Sequence, residues 1–388
     1  MKKIAILGST GSIGSSLLNI IKKDKKNFKI ELLTANKDYK KLIKQAKVYN
    51  VKNIIIGDAN SFLIASKLLI NTKINVFKNF NSLNKIFNKK KKIDYTMCAI
   101  SGFQGLKPTL DIIKYTKTIA IANKESIICG WNLIKEDLKR YKTNFIPIDS
   151  EHFSIWSLLN NNKKNNFEEI YITASGGPFR ELPLKKFKDI SIKNALNQPN
   201  WSMGKKITID SATMMNKVFE IIEAKKIFDL NYNQLKILIH PKSYLHAIVK
   251  FNNGLSKLLV HDTNMTIPIF NSIYLNSGKK IKSKKINIKV LNNLDLKEVD
   301  TIRFPAINIL KKLKKKDSLF ETVIVSANDK LVNLFLNKKI KFINISRILL
   351  KICSIAEFKK FKSIKPRNIE EIRNLSDYVS LKIDTMSV

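Results

Sequence analysis

The stretch "KKIAILGSTGSIGSSLLNI", Lys2 to Ile20, decides the class of fold. The apolar run Ile4 to Leu7 leads directly into glycines at 8, 11 and 14, and a helical period follows in Ile13, Leu17 and Leu18. A strand, a tight glycine turn and a helix in that order open a βαβ unit. Glycines three residues apart let the backbone turn sharply and approach an anion at the helix N-terminus, where open N–H groups favour negative charge. A glycine triplet alone is a weak signal. Between a first strand and a first helix, it reads as a dinucleotide pyrophosphate cradle formed by Gly8, Ser9, Thr10, Gly11, Ser12, Ile13 and Gly14. The bland alternative is a turn that binds nothing.

Working outward, "KIELLT", "NIIIGD", "INVF", "IDYTMCAI", "TIAIA" and "NFIPID" read as further strands with amphipathic stretches between most of them. That alternation predicts a parallel sheet covered on both faces. After Asp149 the pattern changes: "FEEIYITAS" and "QLKILIHP" are strand-like, "TMMNKVFEIIEAKKIF" is helical, and "SYLHAIVKFNNGLSKLLVHD" is a hairpin turning at Asn253-Gly254. From about residue 301 the chain is lysine-rich and helical in period. The expected fold is α/β, with an N-terminal Rossmann-like parallel-sheet domain, a central α+β catalytic domain and a small C-terminal helical domain. The boundaries are drawn at 1–148, 149–274, a linker at 275–300, and 301–388.

Length and composition bound the rest. A chain of 388 residues with 44% hydrophobic and 9% aromatic content builds more than one globular core. No apolar run approaches the roughly 18 to 20 residues a membrane span requires. The start reads as a strand rather than a leader, so a cytoplasmic protein without membrane association is expected. Cys98, Cys129 and Cys353 have no metal-ligand spacing and read as buried thiols in a reducing compartment. The net charge of +40 raises nucleic acid as a partner. Its lysines are scattered, however, and runs such as "NKKKK" (Asn88 to Lys92) read as solvated surface, so no nucleic-acid partner is expected.

The second strand ends "LLTANKD", placing Ala35, Asn36 and Lys37 where an NAD enzyme has an acidic residue for the ribose. A lysine there suits a 2′-phosphate, so the expected cofactor is NADPH. In "PIDSEH" (Pro147 to His152), strand spacing would aim Asp149 and Glu151 to one face. Two adjacent carboxylates suit a hard divalent cation such as Mg²⁺ or Mn²⁺. D-x-E also reads as plain surface charge, and its place at the carboxyl end of a strand favours the site. In "DSATMMNKVFEIIEA" helical spacing puts Asn216, Lys217 and Glu220 on one face, with Ser211 expected near the N-cap. That arrangement suits a phosphate with a metal next to it. "TASGGPFR" adds Ser175 and two glycines whose N–H groups can line the same anion.

These motifs, with "ANKES" (Ala122 to Ser126), "PNWSMG" (Pro199 to Gly204), "KITIDSATMMNK" and "IHPKSYLH", resemble 1-deoxy-D-xylulose 5-phosphate reductoisomerases nearly end to end. The resemblance implies a homodimer using NADPH and Mg²⁺, Mn²⁺ or Co²⁺. Its substrate would be a small phosphorylated sugar, 1-deoxy-D-xylulose 5-phosphate. Rearrangement by retro-aldol and aldol steps, then hydride transfer, would give 2-C-methyl-D-erythritol 4-phosphate in the non-mevalonate isoprenoid pathway. It also implies Asp149, Glu151 and Glu220 as metal ligands, with Lys124 and Ser150 around the metal and the substrate oxygens. Ser175, Ser211, Asn216 and Lys217 match the phosphate site, Ser243 and His246 match further active-site positions, and Glu223 matches a supporting carboxylate. Asn123, Glu125, Met203 and Gly204 join the cofactor set. "PNWSMG" matches a flap that closes over substrate, with Trp201 covering it and Met203 against the nicotinamide. His240 reads as structural from its place in a strand.

There are departures. Gln198 stands where the family usually has histidine, Val218 where it has glycine, and "TNMTIP" (Thr263 to Pro268) lacks a usual arginine. Glutamine keeps hydrogen-bonding capacity and loses the titratable charge, so weaker substrate binding or slower closure is expected. Two rivals stay open: a drifted member that binds NADPH with little activity, and a basic nucleic-acid-binding protein.

Overall fold

The computed structural model describes residues 1–159, 167–198, 201, 204–275 and 277–386. Cα packing divides the chain into two compact units, neither continuous in sequence. The first comprises residues 1–126, 132–153 and 265–282; the second comprises 127–131, 154–264 and 283–388.

The first unit is built on seven strands: β1 (Lys2–Leu7), β2 (Phe28–Ala35), β3 (Asn53–Ile56), β4 (Asn75–Phe77), β5 (Ile93–Cys98), β6 (Thr116–Ile121) and β7 (Asn144–Pro147). They pair in parallel in the order β4-β3-β2-β1-β5-β6-β7. Ile4, Ala5, Ile6 and Leu7 of central β1 are wholly buried, as continuous apolar runs in parallel sheets require. The strand order reverses between β1 and β5, so a crevice opens at their carboxyl ends, where the glycine turn begins. The segment 265–282 contributes the helix Thr266–Ile273. It is tied down by Lys2 donating to the Ile273 carbonyl (2.8 Å), a Tyr95–Ser272 hydroxyl bond (2.7 Å), and Tyr274 donating to Asp24 (2.8 Å).

The second unit holds β8 (Phe167–Ala174), β9 (Leu235–Ile239), β10 (Leu245–Phe251), β11 (Ser256–Val260) and β12 (Lys297–Glu298) in the order β11-β10-β8-β9-β12. Only β8 and β9 pair in parallel. The β10–β11 hairpin turns at Gly254, whose φ of +84° is the left-handed conformation glycine tolerates best. Ile170, Ile172, Ala247 and Val249 of the sheet pack with Ile221 and Ala224 of the helix Met215–Phe228. C-terminal helices run Phe320–Leu336, Phe342–Ile352 and Ile369–Thr385. The fold class is the one the alternation of strands and helices indicated. No described helix is long and apolar enough to cross a membrane.

Candidate active site

In the first unit, the glycine turn has the form its spacing implies. Gly8 has a φ of +83°, and a Cβ there would lie 2.7 Å from the Ala99 carbonyl oxygen. At Gly14 a Cβ would come within 2.5 Å of the Gly8 oxygen and Ser9 Cα, so only glycine lets helix Ser12–Lys22 pack this close. The helix is N-capped by Gly11 with no side-chain hydrogen bond, so no side chain caps the turn. Thr34 holds the turn by accepting from the Gly8 N–H (2.9 Å), while Ser9 and Gln45 exchange two bonds. Lys41 donates to the Thr10 carbonyl (2.7 Å). Asn36 and Lys37 are exposed at the end of β2, after buried Ala35. These residues fit a dinucleotide phosphate.

Asn123 caps helix Lys124–Arg140: its Oδ1 accepts from the Ser126 N–H (2.6 Å), and its Nδ2 donates to the Gly102 carbonyl (2.7 Å). That fixes Lys124 and Glu125, both buried, in the first turn. Lys124 Nζ lies 3.2 Å from Asp149 Oδ2, and His152 Nδ1 lies 3.3 Å from Asp149 Oδ1. Burial alone would raise the Asp149 carboxyl, but Lys124 and His152 outweigh it and hold the group well below the ordinary carboxylate range. Strand spacing is not what places Glu151. β7 ends at Pro147, and Glu151 stands in the first turn of helix Ser150–Leu159. Its N–H bonds Asp149 Oδ1 (3.2 Å), and Ser150 Oγ donates to its carboxylate (2.5 Å). His152, wholly buried, was not singled out from sequence.

The second unit assembles the residues read as a phosphate site. β8 runs into Ser175, whose Oγ accepts from the Gly177 N–H (3.2 Å). Gly176 and Gly177 both have positive φ, and a Cβ on Gly177 would lie 3.0 Å from the Ser211 carbonyl oxygen. Ser211 is not at the N-cap of the following helix. It closes helix Lys205–Ala212, and Met214, left-handed at φ +64°, separates that helix from Met215–Phe228. Asn216 and Lys217 therefore open the second helix, and both donate to Glu220. Lys217 also donates to the Thr173 carbonyl. Lys217 and Glu220 are 4% and 1% exposed, and such a buried pair persists only where its hydrogen bonds are made. Val218 is wholly buried in that helix, so the branched side chain has room. Glu223 is buried one turn beyond Glu220.

Gln198 Nε2 donates to Ser211 Oγ (2.8 Å). The Trp201 ring meets His246 edge-on at 6.2 Å between centroids, and His246 stacks on His261 at 3.7 Å. His261 was missed in the sequence, although a hairpin turning at Asn253-Gly254 brings the strand ends carrying His246 and His261 together. Ser243 is buried, in a left-handed turn after β9. His240 is buried and bonds the Leu294 carbonyl through Nδ1 (2.6 Å), in keeping with a structural part. Gly204 N-caps helix Lys205–Ala212. Met203 lies outside the described residues.

A glycine turn opening a helix beneath a parallel sheet, with buried carboxylates paired to lysines, defines a dinucleotide-dependent α/β enzyme. Three family profiles match the chain: 1-deoxy-D-xylulose 5-phosphate reductoisomerase over residues 4–130, its C-terminal domain over 145–228, and the DXP reductoisomerase C-terminal domain over 261–380. The 1-deoxy-D-xylulose 5-phosphate reductoisomerase of Pelagibacter ubique is 79% identical over all of both chains. That of Aquifex aeolicus is 34% identical over 98% of this chain and 97% of its own. Among solved structures, the Zymomonas mobilis enzyme in complex with NADPH superposes with a TM-score of 0.89 at 30% identity, covering 100% of this chain and 99% of that one. A reductoisomerase in complex with NADPH, fosmidomycin and magnesium gives 0.90 at 29% identity, covering 100% and 98%. The chain belongs to the 1-deoxy-D-xylulose 5-phosphate reductoisomerase family.

Proposed function

We propose that this chain carries out the reaction its family is named for. It rearranges 1-deoxy-D-xylulose 5-phosphate and reduces the product to 2-C-methyl-D-erythritol 4-phosphate, with NADPH and magnesium as cofactors. The observation that carries the reading to individual side chains is the cluster of buried Lys217 and Glu220 with part-buried Asn216, whose Lys217 reaches the Thr173 carbonyl just before the Ser175 turn. Asp149, Glu151 and Glu220 are an oxygen-only donor set, which suits a hard divalent cation, and in this reading they hold it. The glycine turn, with the positions a Cβ would fill and no side-chain cap on its helix, fits the NADPH pyrophosphate. When bound, the cation polarises neighbouring substrate oxygens and NADPH supplies the hydride.

The chain's own residues then bind, orient and exclude water. Ser175, Ser211, Asn216 and Lys217 take the substrate phosphate, two of them in the first turn of a helix whose dipole favours an anion. Lys124 sets the charge of Asp149, and Ser150 orients Glu151. Trp201 and His246 cover the substrate, Ser243 contacts it as well, and Gln198 steadies Ser211. Asn123, Glu125 and Gly204 complete the cofactor contacts with Ala35, Asn36 and Lys37. In this reading residues 1–148 carry NADPH, 149–274 the chemistry, 275–300 a linker and 301–388 a helical closure. The enzyme works as a cytoplasmic homodimer in the non-mevalonate isoprenoid pathway and accepts Mn²⁺ or Co²⁺ in place of Mg²⁺. The test is loss of NADPH absorbance on adding substrate and Mg²⁺. Oxidation that requires both supports the reading, and none from a folded protein that binds NADPH would sink it in favour of a drifted member.

A further inference from the structure

We propose that the C-terminal helix Phe320–Leu336 positions the substrate-phosphate site through Asn328 and Asp329, making Asp210, Lys206, Asn328 and Asp329 positioning residues for Ser211. This rests on the reading of Ser211 as a phosphate ligand. Helix Lys205–Ala212 has eight residues and no side-chain N-cap, so its own propensity cannot hold it in place. A buried carboxylate sits within it: Asp210 is 2% exposed and directly precedes Ser211. A buried charge is costly unless paired and hydrogen-bonded, and Asp210 finds its partners from both directions. Its Oδ1 accepts from Asn328 Nδ2 at 2.7 Å, across 118 residues of sequence. Its Oδ2 lies 3.4 Å from Lys206 Nζ one turn earlier, and Lys206 Nζ lies 2.8 Å from Asp329 Oδ1.

Two consecutive residues of the long helix thus grip both ends of the short one. The long helix is a firm base, because Phe320 to Asn328 are all buried. Ser211 in turn receives Gln198, so a shift of the short helix would move both the hydroxyl and its neighbour. A purely structural pair would affect unfolding alone. A positioning pair also sets where the Ser211 hydroxyl stands, and misplacement on the ångström scale weakens binding steeply.

The experiment compares Asn328→Ala, Asp329→Ala and Ser211→Ala in the full-length enzyme with Mg²⁺. Each is read as KM for 1-deoxy-D-xylulose 5-phosphate, kcat, NADPH dissociation constant and thermal midpoint. Asn328→Ala is expected to raise KM about tenfold, and Asp329→Ala about threefold, with NADPH affinity unchanged. Asp329 is partly exposed, so its variant keeps the question answerable if Asn328→Ala does not fold. A raised KM for Ser211→Ala with unchanged KM in the folded Asn328 and Asp329 variants overturns the proposal and leaves the phosphate reading standing. Unchanged KM in Ser211→Ala removes the phosphate reading and the proposal with it.

Discussion

In the proposed reading, the glycine turn after β1 and the Ser175–Lys217 region of the second unit take their anions by opposite means. The first offers backbone: seven consecutive residues, no charged side chain among them, and shape set by the missing Cβ atoms of Gly8 and Gly14. The second offers side chains. A lysine and a glutamate are buried together, and the turn holding Ser175 meets a helix end more than thirty residues later. The backbone design is cheap in charge and intolerant of added volume. The side-chain design tolerates volume, as Val218 illustrates, and is intolerant of losing one partner of a buried pair.

The largest effect should come from the second design. Glu220→Gln should lower kcat by about a hundredfold to a thousandfold while NADPH affinity, measured by titration, holds. It should also cost stability of about 3 kcal/mol, because Lys217 stays buried beside a neutral amide. A loss of NADPH affinity of similar size would break the contrast. Next, Gly14→Ala should cost about 2 kcal/mol or more in denaturant unfolding, because its Cβ has nowhere to go. NADPH affinity should fall at least about tenfold, with the glutamate cluster untouched.

A smaller change tests the side-chain design's tolerance. Gln198→His, which restores the usual family residue, should raise kcat/KM about threefold and add a pH dependence near neutrality that the glutamine enzyme lacks. An unchanged or lower value would mean the Gln198–Ser211 bond already does that task. The smallest effect concerns the thiols. Burial pushes Cys98 and Cys353 up to about 12, so at pH 8 only about one in ten thousand is thiolate. Alkylation of native protein should be slow and should become fast only on unfolding.

The same contrast explains what could be read in advance. The glycine turn was legible because its geometry is local: strand, turn and helix are contiguous, and their spacing carries the physics. Lys217 and Glu220 were legible too, since three residues on a helix fix a shared face. The closeness of Asp149 and Glu151 was read for a mistaken reason, because a strand and the first turn of a helix both allow the pattern. The Asp210–Asn328 bond was not legible, because it joins residues whose meeting is decided by packing between separate elements and no local period encodes it. The His246–His261 stack was within reach, since the hairpin at Asn253-Gly254 already aligns its two arms, and it was overlooked.

The return of residues 265–282 to the first unit has a consequence for synthesis. That segment supplies partners to Lys2, Asp24 and Tyr95, which emerge from the ribosome long before it does. The interval from Phe153 to Lys282 is 129 residues (282 − 153), or about 6 to 26 seconds of translation. For that time the nascent sheet must wait with Tyr95 and the start of β1 without these partners, while the second unit is still being made. Timing, as well as stability, is therefore written into the order of this chain. A pause or a chaperone contact in that window would act on a half-closed first unit.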